Sequence, residues 1–226
     1  MEKSNQLYSV LSILNQSGIL SECVLVGSWC QDLYRGMYNN PFEIPAATTT
    51  DADFFIPKKM KHFEPQVDIT SILENNGFSL IFDRSGFIKF KNEYIDVEFH
   101  TEPGNKSEEN IFEFKNLKLK AGELRFMEIP LRYNFIYKFF DLSIKIPEPE
   151  AYTLHKLIIS QRRKNQQDKK EKDIEAVRGM FEYFNDKEKH VNRLNEILAD
   201  FYKGWQNRVY EALKITGLSL PTIKSS

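Results

Sequence analysis

The chain is short of almost everything that would place it outside the cell, in a membrane, or on a nucleic-acid backbone by bulk charge. Two cysteines in 226 residues are too few for a disulfide scaffold, and Cys23 and Cys30 lack metal-ligand spacing, so both read as reduced and structural. The four histidines are scattered and include no His-x-x-x-His pair, which argues against a zinc site built on a helix. No run approaches the roughly 20 apolar residues of a membrane span, and the opening Met1-Glu2-Lys3-Ser4-Asn5-Gln6 lacks a signal-peptide core. No membrane partner is expected, and the cytoplasm is the expected location. Net charge is missing too. With 31 basic against 32 acidic residues, no global field steers the protein to nucleic acid or anionic lipid, and any such binding would need a local patch. No internal repeat is visible.

What is present is a folding chain with 41% apolar and 13% aromatic residues, enough for a substantial core. Leu7, Val10, Leu11 and Leu14 recur at helical spacing and Gly18 follows as a C-cap, which predicts a helix over 4–16. A short buried strand is expected over 23–26, a helix over 29–37, a loop with Pro41 and Pro45 over 38–49, and a strand over 51–56 ended by Pro57. Val67, Ile69, Ile72 and Leu73 predict a helix over 66–76, stopped by Gly77. An antiparallel meander follows, with strands over 78–82, 87–90 and 94–100 and a turn at Asp83-Arg84-Ser85-Gly86. Residues 101–110 form a polar excursion expected to be mobile. Residues 111–146 read as short strands with an aromatic-rich segment over 133–140.

Pro147-Glu148-Pro149 marks a boundary, because proline blocks helix continuation before it yet suits a helix start. Beyond it, four helices are expected over 151–163, 169–184, 191–202 and 205–215. The sequence therefore predicts an α+β domain, 1–146, with a mixed or largely antiparallel sheet flanked by helices, followed by a helical domain, 147–226.

Two places concentrate chemistry. Val24-Leu25-Val26 ends in Gly27-Ser28 and opens into a helix, a turn that lets backbone approach a ligand closely and aims a hydroxyl and helix N–H groups at an anion. In Asp51-Ala52-Asp53-Phe54 the two aspartates share one strand face. Asp96 and Glu98 repeat that alternation between Ile95, Val97 and Phe99. Aspartate is a poor strand former, so placing three in strand interiors opposes local propensity, a conflict expected at functional sites. Carboxylates so clustered repel one another unless they share a cation, and hard oxygen donors favour Mg²⁺ or Mn²⁺.

Gly-Ser, then two aspartates spaced by one residue, then an aspartate on a later strand resembles the DNA polymerase β-like nucleotidyltransferase superfamily. The resemblance covers residues 23–99. It implies that Gly27 and Ser28 hold a nucleoside triphosphate, ATP among them, and that Asp51, Asp53 and Asp96 bind two divalent ions, Mg²⁺ or Mn²⁺. The separation of Ser28 from Asp51 is longer than usual in the family, implying an insertion near 38–49. At the domain junction Lys156, Arg162-Arg163 and Lys172-Asp173 look like the pattern of the abortive-infection-toxin type and related minimal bacterial branches. That likeness implies that Lys156 faces the phosphates across an interdomain cleft that Arg162, Lys172 and Asp173 line or brace. Glu98 is a spare ligand, and the basic run from Arg162 to Lys172 equally solvates a helix pair. His155 reads as a packing residue.

The activity implied is transfer of a nucleoside monophosphate to an acceptor hydroxyl by two-metal catalysis, with pyrophosphate leaving and Asp96 taking the hydroxyl proton. Acceptors left open are a protein side chain, a tRNA end and a small molecule. Two other readings stand beside it: a catalytically silent module of the same fold that binds RNA or a partner protein, and the toxin half of a toxin–antitoxin pair.

Overall fold

In a computed structural model of the protein, the described residues are 3–47, 49–82, 88–104, 110–163 and 166–224. The turn expected at 83–86 lies outside them, as does most of the polar excursion, 105–109. The chain forms two compact units, Met1–Cys30 with Thr48–Pro147 and Gln31–Ala47 with Glu148–Ser226.

The first unit is α+β. It contains α1 (Lys3–Gln16), β1 (Val24–Val26), the start of α2 (Trp29–Met37), β2 (Asp51–Phe55), α3 (Ile69–Asn75), β3 (Ser79–Phe82), β4 (Ile88–Lys91), β5 (Asp96–Thr101), β6 (Ile111–Phe114), β7 (Leu119–Glu123), α4 (Glu128–Arg132), β8 (Asn134–Phe139) and β9 (Leu142–Pro147). Among the described residues the strands make one nine-stranded mixed sheet with main order β3-β4-β5-β2-β1-β9-β8; β7 also pairs with β5, and β6 with β7. The meander over β3, β4 and β5 is antiparallel, whereas β2 and β5 run parallel. The segment read as aromatic-rich, 133–140, is largely β8, paired with β9 in an antiparallel hairpin.

Local chemistry explains several boundaries. The Leu7, Val10, Leu11 and Leu14 stripe of α1 is fully buried, and Gly18, at φ +81°, carries the left-handed step after the helix while its N–H donates to Asn15 O. The α3 helix begins later than periodicity predicts because Asp68 caps it, its Oδ1 accepting from Ser71 N at 2.9 Å. Two apolar layers sandwich the central strands. On one face Phe99 lies near Phe54 and Phe90, with centroids 5.8 and 6.0 Å apart. On the other, Met127, Leu124 and Leu131 pack against Val24, Val26 and Phe55. This second face also carries Asp51 and Asp53, four and two residues before Phe55.

The second unit holds most of α2 and the helices α5 (Pro149–Ser160), α6 (Gln167–Phe184), α7 (Glu188–Asp200) and α8 (Lys203–Thr216). Pro149 occupies the first turn of α5, where its missing N–H costs nothing. α5 packs against α6, α7 and α8 and is buried along nearly its whole length. Segment 31–47 belongs to this unit. Gln31 donates to Pro45 O at 2.5 Å and accepts from the Tyr152 hydroxyl at 3.3 Å, and Asp32 Oδ1 accepts from Ala47 N at 2.8 Å. Gly179 of α6 lies so close to Glu43 O and the Pro45 ring that a Cβ there would collide with both. Gly179→Ala should therefore lower the stability of the protein by about 1–3 kcal/mol, the cost of overpacking a rigid contact, as read from urea denaturation. A loss below about 0.3 kcal/mol would show that the 43–45 backbone yields freely.

Candidate functional site

Parallel pairing of β2 with β5 is in the register Asp51 opposite Asp96 and Asp53 opposite Glu98. Because alternate residues share a face, this register gathers Asp51, Asp53, Asp96 and Glu98 on one side of two adjacent strands. The ladder is continued at both ends by backbone bonds, Asp96 N to Thr50 O at 3.0 Å and Ile56 N to His100 O at 2.8 Å. β1 runs antiparallel on the other side of β2, with Val26 opposite Asp53. The chain leaving β1 thus passes directly over Asp53. Gly27 sits there at φ +75°, and any Cβ on it would run into the Asp53 carboxylate. Glycine is required on both counts, conformation and space. Ser28 follows, half-buried, immediately before α2.

Four carboxylates on one sheet face need compensation, and two side chains of β4 supply it for three of them. Lys89 lies opposite Glu98 in the antiparallel β4–β5 pair. Its Nζ is 2.7 Å from Glu98 Oε1, 3.1 Å from Asp51 Oδ1 and 3.2 Å from Asp96 Oδ2. Partial burial opposes the ammonium, but the bonds to Glu98 and Asp51 outweigh it and raise the Lys89 pKa above the usual lysine value. Lys91 adds a weaker pair to Asp96 at 3.5 Å. Asp53 is compensated differently. His100 Nε2 lies 3.2 Å from Asp53 Oδ1 and 3.8 Å from Glu98 Oε2, and one ligand atom from each of Asp53, Glu98 and His100 falls within 4.8 Å of the others.

The sequence reading treats Glu98 as a spare ligand and gives no place to Lys89 or His100. Both had a signal. His100 continues the two-residue alternation of Asp96 and Glu98, and Lys89 and Lys91 alternate along the strand that the meander sets beside them. Among the described residues, the donors here are carboxylate oxygens and one imidazole, a set that fits a divalent cation.

In the second unit, Lys156 and Arg163 share one buried acid, Asp173. Lys156 is 7% exposed and Asp173 3%. Lys156 Nζ donates to Asp173 Oδ1 at 2.6 Å, and Arg163 Nε donates to Oδ2 at 3.1 Å. Both oxygens of one buried carboxylate are satisfied, as a buried ion pair requires if it is not to cost more than it returns. Arg162 and Lys172 are exposed, and Lys164 lies outside the described residues. Burial, with Lys156 as the nearest further cause, pushes the His155 pKa down to about 3. Its Nε2 has no hydrogen-bond partner among the described residues, consistent with a packing role. Burial likewise pushes the Cys23 thiol up to about 12, and neither cysteine is in a disulfide, so Cys23 is inert toward electrophiles at neutral pH.

In EDTA, Asp96→Asn should lower stability by about 1 kcal/mol because Lys89 and Lys91 lose a partner. Asp53→Asn should leave stability unchanged or slightly raised, since an amide oxygen still accepts from His100 while one repelling charge is gone. Melting curves of the two variants would check the contrast, and equal losses would refute it. The His155 case has a definite sign. Its folded pKa, about 3, lies below the unfolded value of 6.5, so its contribution is intact above pH 6.5 and is lost as pH falls toward 3. The slope should be about 1.4 kcal/mol per pH unit. His155→Leu should remove one proton's worth of that pH dependence, measured as unfolding free energy between pH 6.5 and 4.5.

No curated protein matches the chain. Two solved structures match the chain. The antibiotic-resistance factor ANT(2'')-Ia superposes with a TM-score of 0.51 at 12% identity, over 95% of this chain and 96% of that one. An antigenic nucleotidyltransferase-like protein from Paracoccidioides brasiliensis has a TM-score of 0.47 at 13% identity, over 98% of this chain and 94% of that one. The sequence profile described as nucleotidyltransferase matches residues 5–200, a span that contains both the carboxylate strands and α5 to α7, so the chain belongs to the nucleotidyltransferase family.

Proposed function

We propose that this protein moves a nucleoside monophosphate from a nucleoside triphosphate to an acceptor hydroxyl, releasing pyrophosphate. The observation that carries the reading is the convergence of Asp51, Asp53 and Asp96 on adjacent strands beside the Gly27 turn. Two divalent ions, Mg²⁺ or Mn²⁺, held by these acids would neutralise charge on the transferring phosphoryl and leaving groups. The chain's own residues do the rest. Gly27 keeps side-chain bulk away from the carboxylates, so that the triphosphate lies along the backbone of the turn with the Ser28 hydroxyl donating to it. Asp96, the most buried of the three acids, accepts the proton of the attacking hydroxyl. Lys89 and Lys91 hold the carboxylates in place and limit their mutual repulsion. On the second unit, Lys156 and Arg162 are the proposed phosphate-binding cations. Within the superfamily, the Lys156, Arg162 and Lys172-Asp173 pattern supports a place near the abortive-infection-toxin type, and the pairing of Lys156 with Asp173 gives that pattern a physical content.

Incubation with each labelled triphosphate, Mg²⁺ and a cell lysate should label one acceptor class, with pyrophosphate release abolished by EDTA. Asp51→Asn and Asp96→Asn should each reduce release below about one-hundredth of the unmodified rate while the fold persists. Metal-independent release, or full activity in either variant, would overturn the proposal.

A further inference from the structure

His100 is the nitrogen donor at a cluster otherwise made of oxygen donors, and only one of its two ring nitrogens, Nε2, finds a partner among the described residues. The residue is 7% exposed, and its Nδ1 is buried without a partner among the described residues. A neutral imidazole carries a single N–H. With the proton on Nε2, the ring donates to Asp53 and leaves the Nδ1 lone pair buried and unused. With the proton on Nδ1, the Nε2 lone pair faces carboxylate oxygens at 3.2 and 3.8 Å, a repulsive arrangement that a shared cation would reverse. The spacing suits such an ion. Bonds of about 2.1 Å set neighbouring donors about 3 Å apart and opposite ones about 4.2 Å apart in an octahedron, and His100 Nε2 lies 3.2 Å from Asp53 Oδ1 and 3.8 Å from Glu98 Oε2, between those limits.

We propose that Asp53, Glu98 and His100 form a mixed oxygen–nitrogen position that takes a first-row transition-metal ion, such as Mn²⁺ or Co²⁺, in preference to Mg²⁺. Magnesium is hard and gives up water reluctantly, so an imidazole adds little to its binding. Affinity for nitrogen donors rises along the first-row series. Position supports the same choice, because His100 follows Glu98 on one strand face and the ring is held by burial, so little freedom is lost on coordination. The inference rests on the transferase reading for the ion's purpose, and on the contacts of three side chains for its identity.

The test uses the full chain. Pulsed electron paramagnetic resonance of bound Mn²⁺ should show coupling to an imidazole ¹⁴N, absent in His100→Asn. Competition titrations should show Co²⁺ binding about a hundredfold more tightly than Mg²⁺. In His100→Asn that ratio should fall roughly tenfold, with Mg²⁺ affinity changed less than about threefold. Glu98→Gln should weaken both ions while retaining the nitrogen coupling. Should His100→Asn fail to fold, the ¹⁴N measurement on the unmodified protein decides by itself. Bound Mn²⁺ without ¹⁴N coupling, or the same Co²⁺ to Mg²⁺ ratio with and without His100, overturns the inference. Nitrogen coupling in a protein that transfers no nucleotide would uphold it and sink the transferase reading. Transfer lost in Asp51→Asn, with no nitrogen coupling, would do the reverse.

Discussion

Everything at the candidate site depends on the register between β2 and β5. A slip of one residue would send Asp51 and Asp53 to the opposite sheet face from Asp96 and Glu98, because side chains alternate strictly along a strand. The apolar residues between them prevent that slip. Ala52, Phe54, Val97 and Phe99 are all buried, and Phe99 meets Phe54 and Phe90 across the same layer. The hydrophobic face fixes the register, and the register places the charges. Lys89 then makes the placement tolerable, one ammonium within hydrogen-bonding reach of three carboxylates, and it comes from a strand whose own register is set by the meander.

The Gly27 turn is the second consequence of that sheet. Since β1 lies against β2 with Val26 opposite Asp53, the chain leaving β1 has no room for a side chain. A left-handed glycine is the solution, and it leaves backbone beside the carboxylates where a phosphate could approach. From there α2 leads out of the first unit after Cys30, and the loop that follows is fastened by Gln31, Asp32 and Gly179.

The second unit is built around a helix that buries polar groups as well as apolar ones. α5 carries Thr153, His155, Lys156 and Ser160 inside, each needing a local answer. Thr153 donates to Pro149 O and Ser160 to Leu157 O, the usual return to the preceding turn. Lys156 shares Asp173 with Arg163. At its start, Glu148 receives a two-pronged bond from Arg193 at 2.6 and 2.9 Å, a strong and oriented contact, and Glu150 meets His190 Nδ1 at 2.5 Å. No helix among the described residues is long and apolar enough to cross a membrane.

The sequence by itself determined the order and kind of most elements, because helical and strand periodicities are local and Gly18, Pro57 and Pro147-Glu148-Pro149 punctuate them. It also marked Asp51, Asp53, Asp96 and the Gly27-Ser28 turn, since acids in strand interiors conflict with local propensity and so stand out. What only the tertiary structure decided is partnership. Parallel pairing of β2 with β5 joins residues far apart in the chain, and nothing local encodes which strand lies beside which. Lys89 and His100 show only alternation in sequence, and their partners become visible once the strands are paired. Lys156 carries the same lesson from the other side. Its neighbours in the chain mark an apolar stripe, but only the packing of α6 against α5 brings Asp173 within 2.6 Å of its ammonium and makes it a buried ion-pair member, because electrostatic compensation inside a protein is set by distance in space and not along the chain.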